Sequence, residues 1–115
     1  MDDKEREAAR EAAWEELRGR VAACRRCGLC ETRTNTVFGQ GAVHTPIVMV
    51  GEGPGADEDA QGLAFVGRAG QLLTKILSAA GIDRESVFIT NVVKCRPPNN
   101  RTPTQEEMLK CGDFL

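Results

Sequence analysis

The sequence predicts an α/β fold with a parallel sheet, and three observations predict it. The apolar run Ile47-Val48-Met49-Val50, entered through Pro46, has the length and β-branched content of a buried strand. Val87-Phe88-Ile89-Thr90-Asn91-Val92-Val93 reads as a second strand. Between them, residues 68–80 keep Ala69, Leu72, Leu73, Ile76, Leu77 and Ala80 on one helical face, with Gly81 as the stop. Strand, helix and strand in that order imply a right-handed crossover and parallel strands.

The remaining elements follow along the chain. Residues 3–22 read as a helix rich in Ala, Glu and Arg, with Trp14, Leu17 and Val21 at helical spacing. Cys24-Arg-Arg-Cys27-Gly-Leu-Cys30 breaks that pattern, and residues 31–45 read as a polar loop. The run Gly51-Glu52-Gly53-Pro54-Gly55-Ala56-Asp57-Glu58-Asp59 follows the first strand directly and reads as a glycine-rich acidic loop. Residues 96–101 carry two prolines and must be irregular. Thr102-Pro103-Thr104-Gln105 reads as a capping box with Pro at N1, opening a last helix through Cys111. Two strands are few for a doubly wound sheet, which usually has about five, so the expectation is the N-terminal portion of a larger fold.

Composition narrows the class. Of 115 residues, 41% are hydrophobic and 28% charged, the balance of a globular domain. No apolar run approaches the ~20 residues of a membrane span, and the acidic start is no secretion signal. Both point to the cytoplasm, where clustered cysteines mean metal or redox chemistry rather than disulfides. Residues 1–16 hold seven acids and three bases, so the remainder is net basic. Arg18, Arg20, Arg25, Arg26, Arg33, Lys94, Arg96 and Arg101 gather beside the cysteines. Such a cluster suits phosphate contacts; on charge alone a solvated face is the favoured reading.

Cysteines and loop carry the chemistry. Cys24 and Cys27, two residues apart, let two sulfurs converge, and Cys95 and Cys111 bring two more from the far end. Four thiolates suit tetrahedral zinc or a [4Fe–4S] cluster, and spacing does not separate them. Cys30 is surplus and reads as a small buried residue. The glycine loop stands where open α/β sheets bind ligands, and its glycines let a ligand approach backbone N–H groups closely. It lacks the Lys-Ser/Thr pair of a phosphate loop, and its acids would repel phosphate. Taken alone it is as much a tight turn with solvated acids, Asp57 and Asp59 among them. His44, the single histidine, reads as a surface loop residue.

Several segments together carry a resemblance: Gly51–Asp59, then Gly62-Leu-Ala-Phe65-Val-Gly67-Arg-Ala-Gly-Gln-Leu-Leu73, then Thr90-Asn91-Val-Val-Lys-Cys95-Arg-Pro-Pro98, with four cysteines in this order. From about Cys24 onward the chain resembles the family 4 iron–sulfur uracil-DNA glycosylases. The resemblance implies a three-layer α/β/α sandwich, here its N-terminal part, divided as an N-terminal helix (1–23) and a glycosylase portion (24–115). It implies excision of uracil from DNA in base-excision repair, with Cys24, Cys27, Cys95 and Cys111 ligating a [4Fe–4S] cluster. Uracil-containing DNA is the implied partner, with no membrane, a cytoplasmic, nucleoid-associated location, and a DNA polymerase or other repair proteins as further partners.

The resemblance also implies roles. Phe65 would stack on an extruded uracil. Asn91 would offer one acceptor and one donor to uracil N3–H and O4, a pairing that cytosine reverses. Glu52 would direct the attacking water and offset developing oxocarbenium charge. The Gly53 N–H would support departing uracil through O2, Pro54 would line the same site, and Glu58 would order the loop or screen the 5-position. The family's later His-Pro-Ser-type loop has no counterpart in this sequence, and His44 does not replace it. Two other readings stand beside the enzyme: an iron–sulfur module that engages DNA or a polymerase without excising a base, and a zinc-bound structural fragment.

Overall fold

A computed structural model describes residues 2–115. It shows four helices, α1 (Asp3–Ala22), α2 (Ala56–Gln61), α3 (Arg68–Ala79) and α4 (Gln105–Gly112), and three strands, β1 (Gln40–Gly41), β2 (Val48–Gly51) and β3 (Phe88–Asn91). The strand order is β1-β3-β2. β2 and β3 pair in parallel, from Val48 opposite Phe88 to Gly51 opposite Asn91, as the strand–helix–strand reading expects. The polar stretch 31–45, expected to be loop, supplies β1, which pairs antiparallel to the other side of β3. The sheet is therefore mixed, and β3 is its centre. All four residues of β3 are buried.

Alternation along β3 divides the core. Phe88 faces a cluster with Val21, Leu29, Phe38, Val93, Cys95, Cys111 and Phe114, against which Trp14 and Leu17 of α1 pack. Ile89, one residue on, faces Val37, Ala64, Leu77 and Val87, with Leu73 of α3 behind them. Helices thus lie on both faces at β3, but β2, read as a buried strand, stays about half exposed at Val48 and Val50. Trp14 meets Phe88 and Phe38 edge-on, with ring centroids 4.8 and 5.8 Å away. The first half of α1 makes no such contact; its start is capped by Asp2, whose carboxylate accepts from the Glu5 N–H at 2.8 Å.

Three local expectations are corrected. The acidic segment after Gly55 is not a loop throughout but carries α2, ended by Gly62 in the left-handed conformation (φ 72°). The second strand closes at Asn91 rather than Val93, because the Val92 and Val93 N–H groups turn to the carbonyls of Gly51 and Glu52. The last helix is capped by Thr104, not Thr102. Thr104 Oγ1 accepts from the Glu107 N–H while Glu107 accepts from the Thr104 N–H, and Pro103 lies just outside. Among the described residues no helix is long and apolar enough to cross a membrane.

Candidate functional site

The parallel β2–β3 pair brings the ends of both strands to one edge, and two pockets open beside the chain there. The first encloses about 590 Å³, part of it open to solvent, and is lined by Gly53, Gly55, Glu58, Phe65, Ala69, Gly70, Asn91 and Asn100. Gly51 packs against two of these residues, since a methyl group there would meet both the Phe65 ring and Asn91 Oδ1. Asn91 is 2% exposed, and its Oδ1 accepts no hydrogen bond from the described residues. A buried acceptor without a donor is costly unless a ligand supplies one.

Phe65 is held in a conformation few side chains adopt, with φ 52°. Arg84 fixes it. One guanidinium nitrogen donates to the Phe65 carbonyl at 2.6 Å and to Thr74 Oγ1 at 2.9 Å, and the other donates to the Ala64 carbonyl at 2.5 Å. Gly70 leaves room for this turn, since any Cβ there would overlap the Phe65 backbone. Sequence reasoning missed both residues: an arginine in a polar turn reads as solvated, and a glycine in a helix reads as a weak spot.

Glu58 orders the loop rather than facing the pocket freely. Its oxygens accept from the N–H groups of Gly55 (3.0 Å), Val66 (2.8 Å) and Gly67 (2.6 Å). Burial alone would raise its carboxyl, but these backbone donors outweigh it and hold the group below the usual carboxylate range. Asp59, expected to be solvated, is buried instead. Its Oδ1 accepts from the N–H groups of Thr34 (2.8 Å) and Asn35 (3.1 Å), tying α2 to the stretch before β1. Glu52 and buried Pro54 line a smaller adjoining cleft that shares Gly53, Gly55 and Asn100 with the first pocket. Asp57 is exposed.

The second pocket is lined by all five cysteines, Cys24, Cys27, Cys30, Cys95 and Cys111, together with Arg26, Leu29, Arg33 and Lys94. The 3₁₀ turn Gly28–Glu31 and the last turn of α4, which carries Cys111, come together here. Cys30 is half-buried, more open than expected. N–H donors point at the sulfurs: Arg33 Nη1 to Cys95 at 3.0 Å, the Lys94 N–H to Cys111 at 3.1 Å, and the Arg26 N–H to Cys24 at 3.5 Å. Burial pushes the Cys95 thiol up to about 11, Arg33 opposes the rise, and nearby Cys111 and Cys27 add to it. Cys111 is raised too, again chiefly by burial. As free thiols these groups resist ionisation, and a cation would reverse that.

The basic residues are largely committed. Arg18 lies over the Phe38 ring and Arg26 over the Phe114 ring, while Arg101 grips Glu107 with both terminal nitrogens, at 2.7 and 2.9 Å. Lys94 is only 3% exposed, which removes it from any phosphate-binding surface. His44 is exposed, as expected, and lies against α1. Its Nδ1 is 3.1 Å from Arg10, and its Nε2 is 3.9 Å from the carboxylates of both Glu7 and Glu11.

The chain as a whole has recognisable relatives. Residues 38–115 match the family described as the uracil DNA glycosylase superfamily. The chain is 58% identical over 106 residues to a type-4 uracil-DNA glycosylase of Thermotoga maritima, covering 92% of this chain and 55% of that protein. It is 58% identical over 95 residues to a type-4 uracil-DNA glycosylase of Archaeoglobus fulgidus, covering 83% and 48%. It is also 37% identical over 88 residues to a DNA polymerase of Bacillus phage SP01, covering 76% of this chain and 10% of the polymerase. The chain spans about half the length of the two glycosylases.

Proposed function

This chain belongs to the uracil DNA glycosylase superfamily, and from that premise we propose that it acts in uracil removal from DNA, by hydrolysis of the bond between uracil N1 and deoxyribose C1′. The unpaired Asn91 Oδ1, buried beside the Phe65 ring, is the observation that carries this reading. It is an acceptor waiting for an N–H donor, and uracil N3–H is one. The same amide's N–H₂ group would reach O4. Cytosine presents an acceptor at N3 and a donor at its 4-position, so a fixed Asn91 rejects it. Phe65, locked by Arg84, offers its face to the extruded base.

Glu52, exposed in the adjoining cleft, is the acid that directs water toward C1′ and offsets the charge developing on the sugar. As the N1–C1′ bond breaks, its electron pair leaves with uracil, and the Gly53 N–H supports the anion through O2. Glu58 acts through the loop, by holding the N–H groups of Gly55, Val66 and Gly67.

Cys24, Cys27, Cys95 and Cys111 are the residues that would hold a [4Fe–4S] cluster. Two observations support the fit. The thiols are met by N–H donors, which suit thiolate charge. Among the described residues, no three of their sulfurs lie within 4.8 Å of one another. Four thiolates at the usual bond length from one tetrahedral zinc would sit about 3.8 Å apart. When bound, the cluster would supply a structural tie between residues 24–27 and α4. A second reading, a module that binds DNA or a polymerase without excision, draws on the partial match to the phage polymerase.

The test uses anaerobically prepared protein and labelled oligonucleotides carrying one uracil, cytosine or thymine. Uracil-selective binding is expected, lost in Asn91→Ala. Uracil excision, read by alkaline cleavage of the abasic product, is expected to fall by about 100-fold in Glu52→Ala. Equal affinity for all three oligonucleotides would overturn the reading and favour the second.

A further inference from the structure

Lys94 lies between the two pockets and belongs to neither role assigned so far. Its ammonium is buried, 3% exposed, and donates to Thr90 Oγ1 at 2.6 Å and to the Asn91 carbonyl at 2.5 Å. Around it stand Trp14, Phe38, Phe88 and Phe114, which offer no counter-charge. Among the described residues no carboxylate lies within 4.0 Å of it. On its other side the same residue lines the cysteine pocket, and its backbone N–H donates to Cys111 Sγ. A buried cation without an acid partner is costly unless negative charge is supplied nearby. Four thiolates around a metal core supply it, because their summed charge exceeds that of the core for a [4Fe–4S] cluster and for zinc alike.

What the ammonium holds is the end of β3. The peptide that follows the Asn91 carbonyl carries the Val92 N–H, which donates to the Gly51 carbonyl at 2.9 Å; the Val93 N–H donates to the Glu52 carbonyl at 3.1 Å. Those two bonds fasten the glycine loop to the strand that presents Asn91. We propose that Lys94 is a positioning residue that couples the two pockets: metal held by the cysteines supplies the counter-charge that keeps the ammonium on Thr90 and Asn91, and so holds Asn91 and residues 51–53 in register for a base. The coupling rests on the metal-binding reading of the cysteines.

Amide hydrogen exchange at Val92 and Val93, in metal-loaded and chelator-stripped protein, tests it for the natural chain, Lys94→Met and Lys94→Arg. The Leu77 amide in α3, on the opposite face of the sheet, reports global opening. Iron and zinc assays establish the metal content of each sample. In the natural chain, stripping is expected to speed exchange at Val92 and Val93 by about tenfold while Leu77 is unchanged, the size of an ordinary coupling between sites. Lys94→Arg is expected to retain the effect, and Lys94→Met to reduce it to less than about twofold, as a lost coupling term requires. An equal acceleration in the natural chain and Lys94→Met would overturn the coupling and leave Lys94 a structural contact. Acceleration at Leu77 to the same extent would overturn it as well, since stripping would then only unfold the chain. If no sample binds metal, the cysteine reading fails, and the coupling fails with it.

Discussion

The pocket beside Asn91 and the pocket beside Cys95 open from the same short stretch of chain, residues 91–95, yet they are held by different means. The first is held by bonds the chain makes to itself: Arg84 on the Ala64 and Phe65 carbonyls, Glu58 on three backbone N–H groups, Asp59 on two more. The second gathers buried thiols whose ionisation burial and mutual repulsion oppose. One site is preorganised by the fold; the other, on the reading proposed above, would be completed by a cation. The difference matters because preorganisation fixes geometry without a ligand, whereas a site completed from outside makes stability depend on supply.

The largest effect should come from the cysteine side. Cys111→Ser is expected to lose most bound metal and to destabilise the chain by about 4 kcal/mol, the linkage expected when a group is present at a thousandfold excess over its dissociation constant. Metal analysis with thermal unfolding checks it. Unchanged stability would break the contrast, since the cysteine side would then also stand alone. Next is Gly70→Ala, whose methyl overlaps the Phe65 backbone. A loss of about 3 kcal/mol in urea unfolding is expected, near the upper end for overpacking, with metal content unchanged.

Arg84→Met sharpens the comparison further. It leaves the Ala64 and Phe65 carbonyls without their charged donor, an expected cost of about 2 kcal/mol, and it should weaken uracil selectivity while sparing the metal. A matching fall in metal content would show that the two pockets are not separately built. Thr104→Ala removes the cap of α4, and about 1 kcal/mol should be lost.

The last prediction concerns acid. The Arg101 guanidinium beside Glu107 holds its carboxyl down to about 2, from an ordinary 4.5. A carboxyl lowered on folding adds stability above its ordinary value and loses that stability as pH falls through the folded one. Stability should therefore decline between about pH 4.5 and 2, and Glu107→Gln should flatten the part of the decline that Glu107 contributes. Circular dichroism against pH reads both.

Much of this arrangement was legible in the sequence where a local pattern carried it. The apolar face of residues 68–80 marks α3, and the cysteines expected to converge from both ends of the sequence do line one pocket. What was not legible depends on contacts distant in sequence. Asp59 looked solvated because nothing beside it signals that Thr34 and Asn35 aim their N–H groups at it. α2 has no apolar face to betray it; Gly55, Glu58 and Gly62 bound it instead. β1 is two residues long and exists only because β3 offers it a partner. Lys94 read as one of a basic cluster and Arg84 drew no notice, since burial of a cation is decided by the carbonyls that the fold collects around it.

The edge-to-face contact of Trp14 with Phe88 and Phe38 gives the molecule an optical handle. Trp14 is the sole tryptophan and there is no tyrosine, so ultraviolet-excited emission arises from one indole. That indole packs on the cluster containing Cys95 and Cys111, with Phe65 and the base-sized pocket across the sheet. Emission should therefore dim when an absorbing iron–sulfur group is loaded and shift to the red when α1 lifts away, while remaining nearly blind to uracil. A single fluorescence trace would follow one half of the protein without interference from the other.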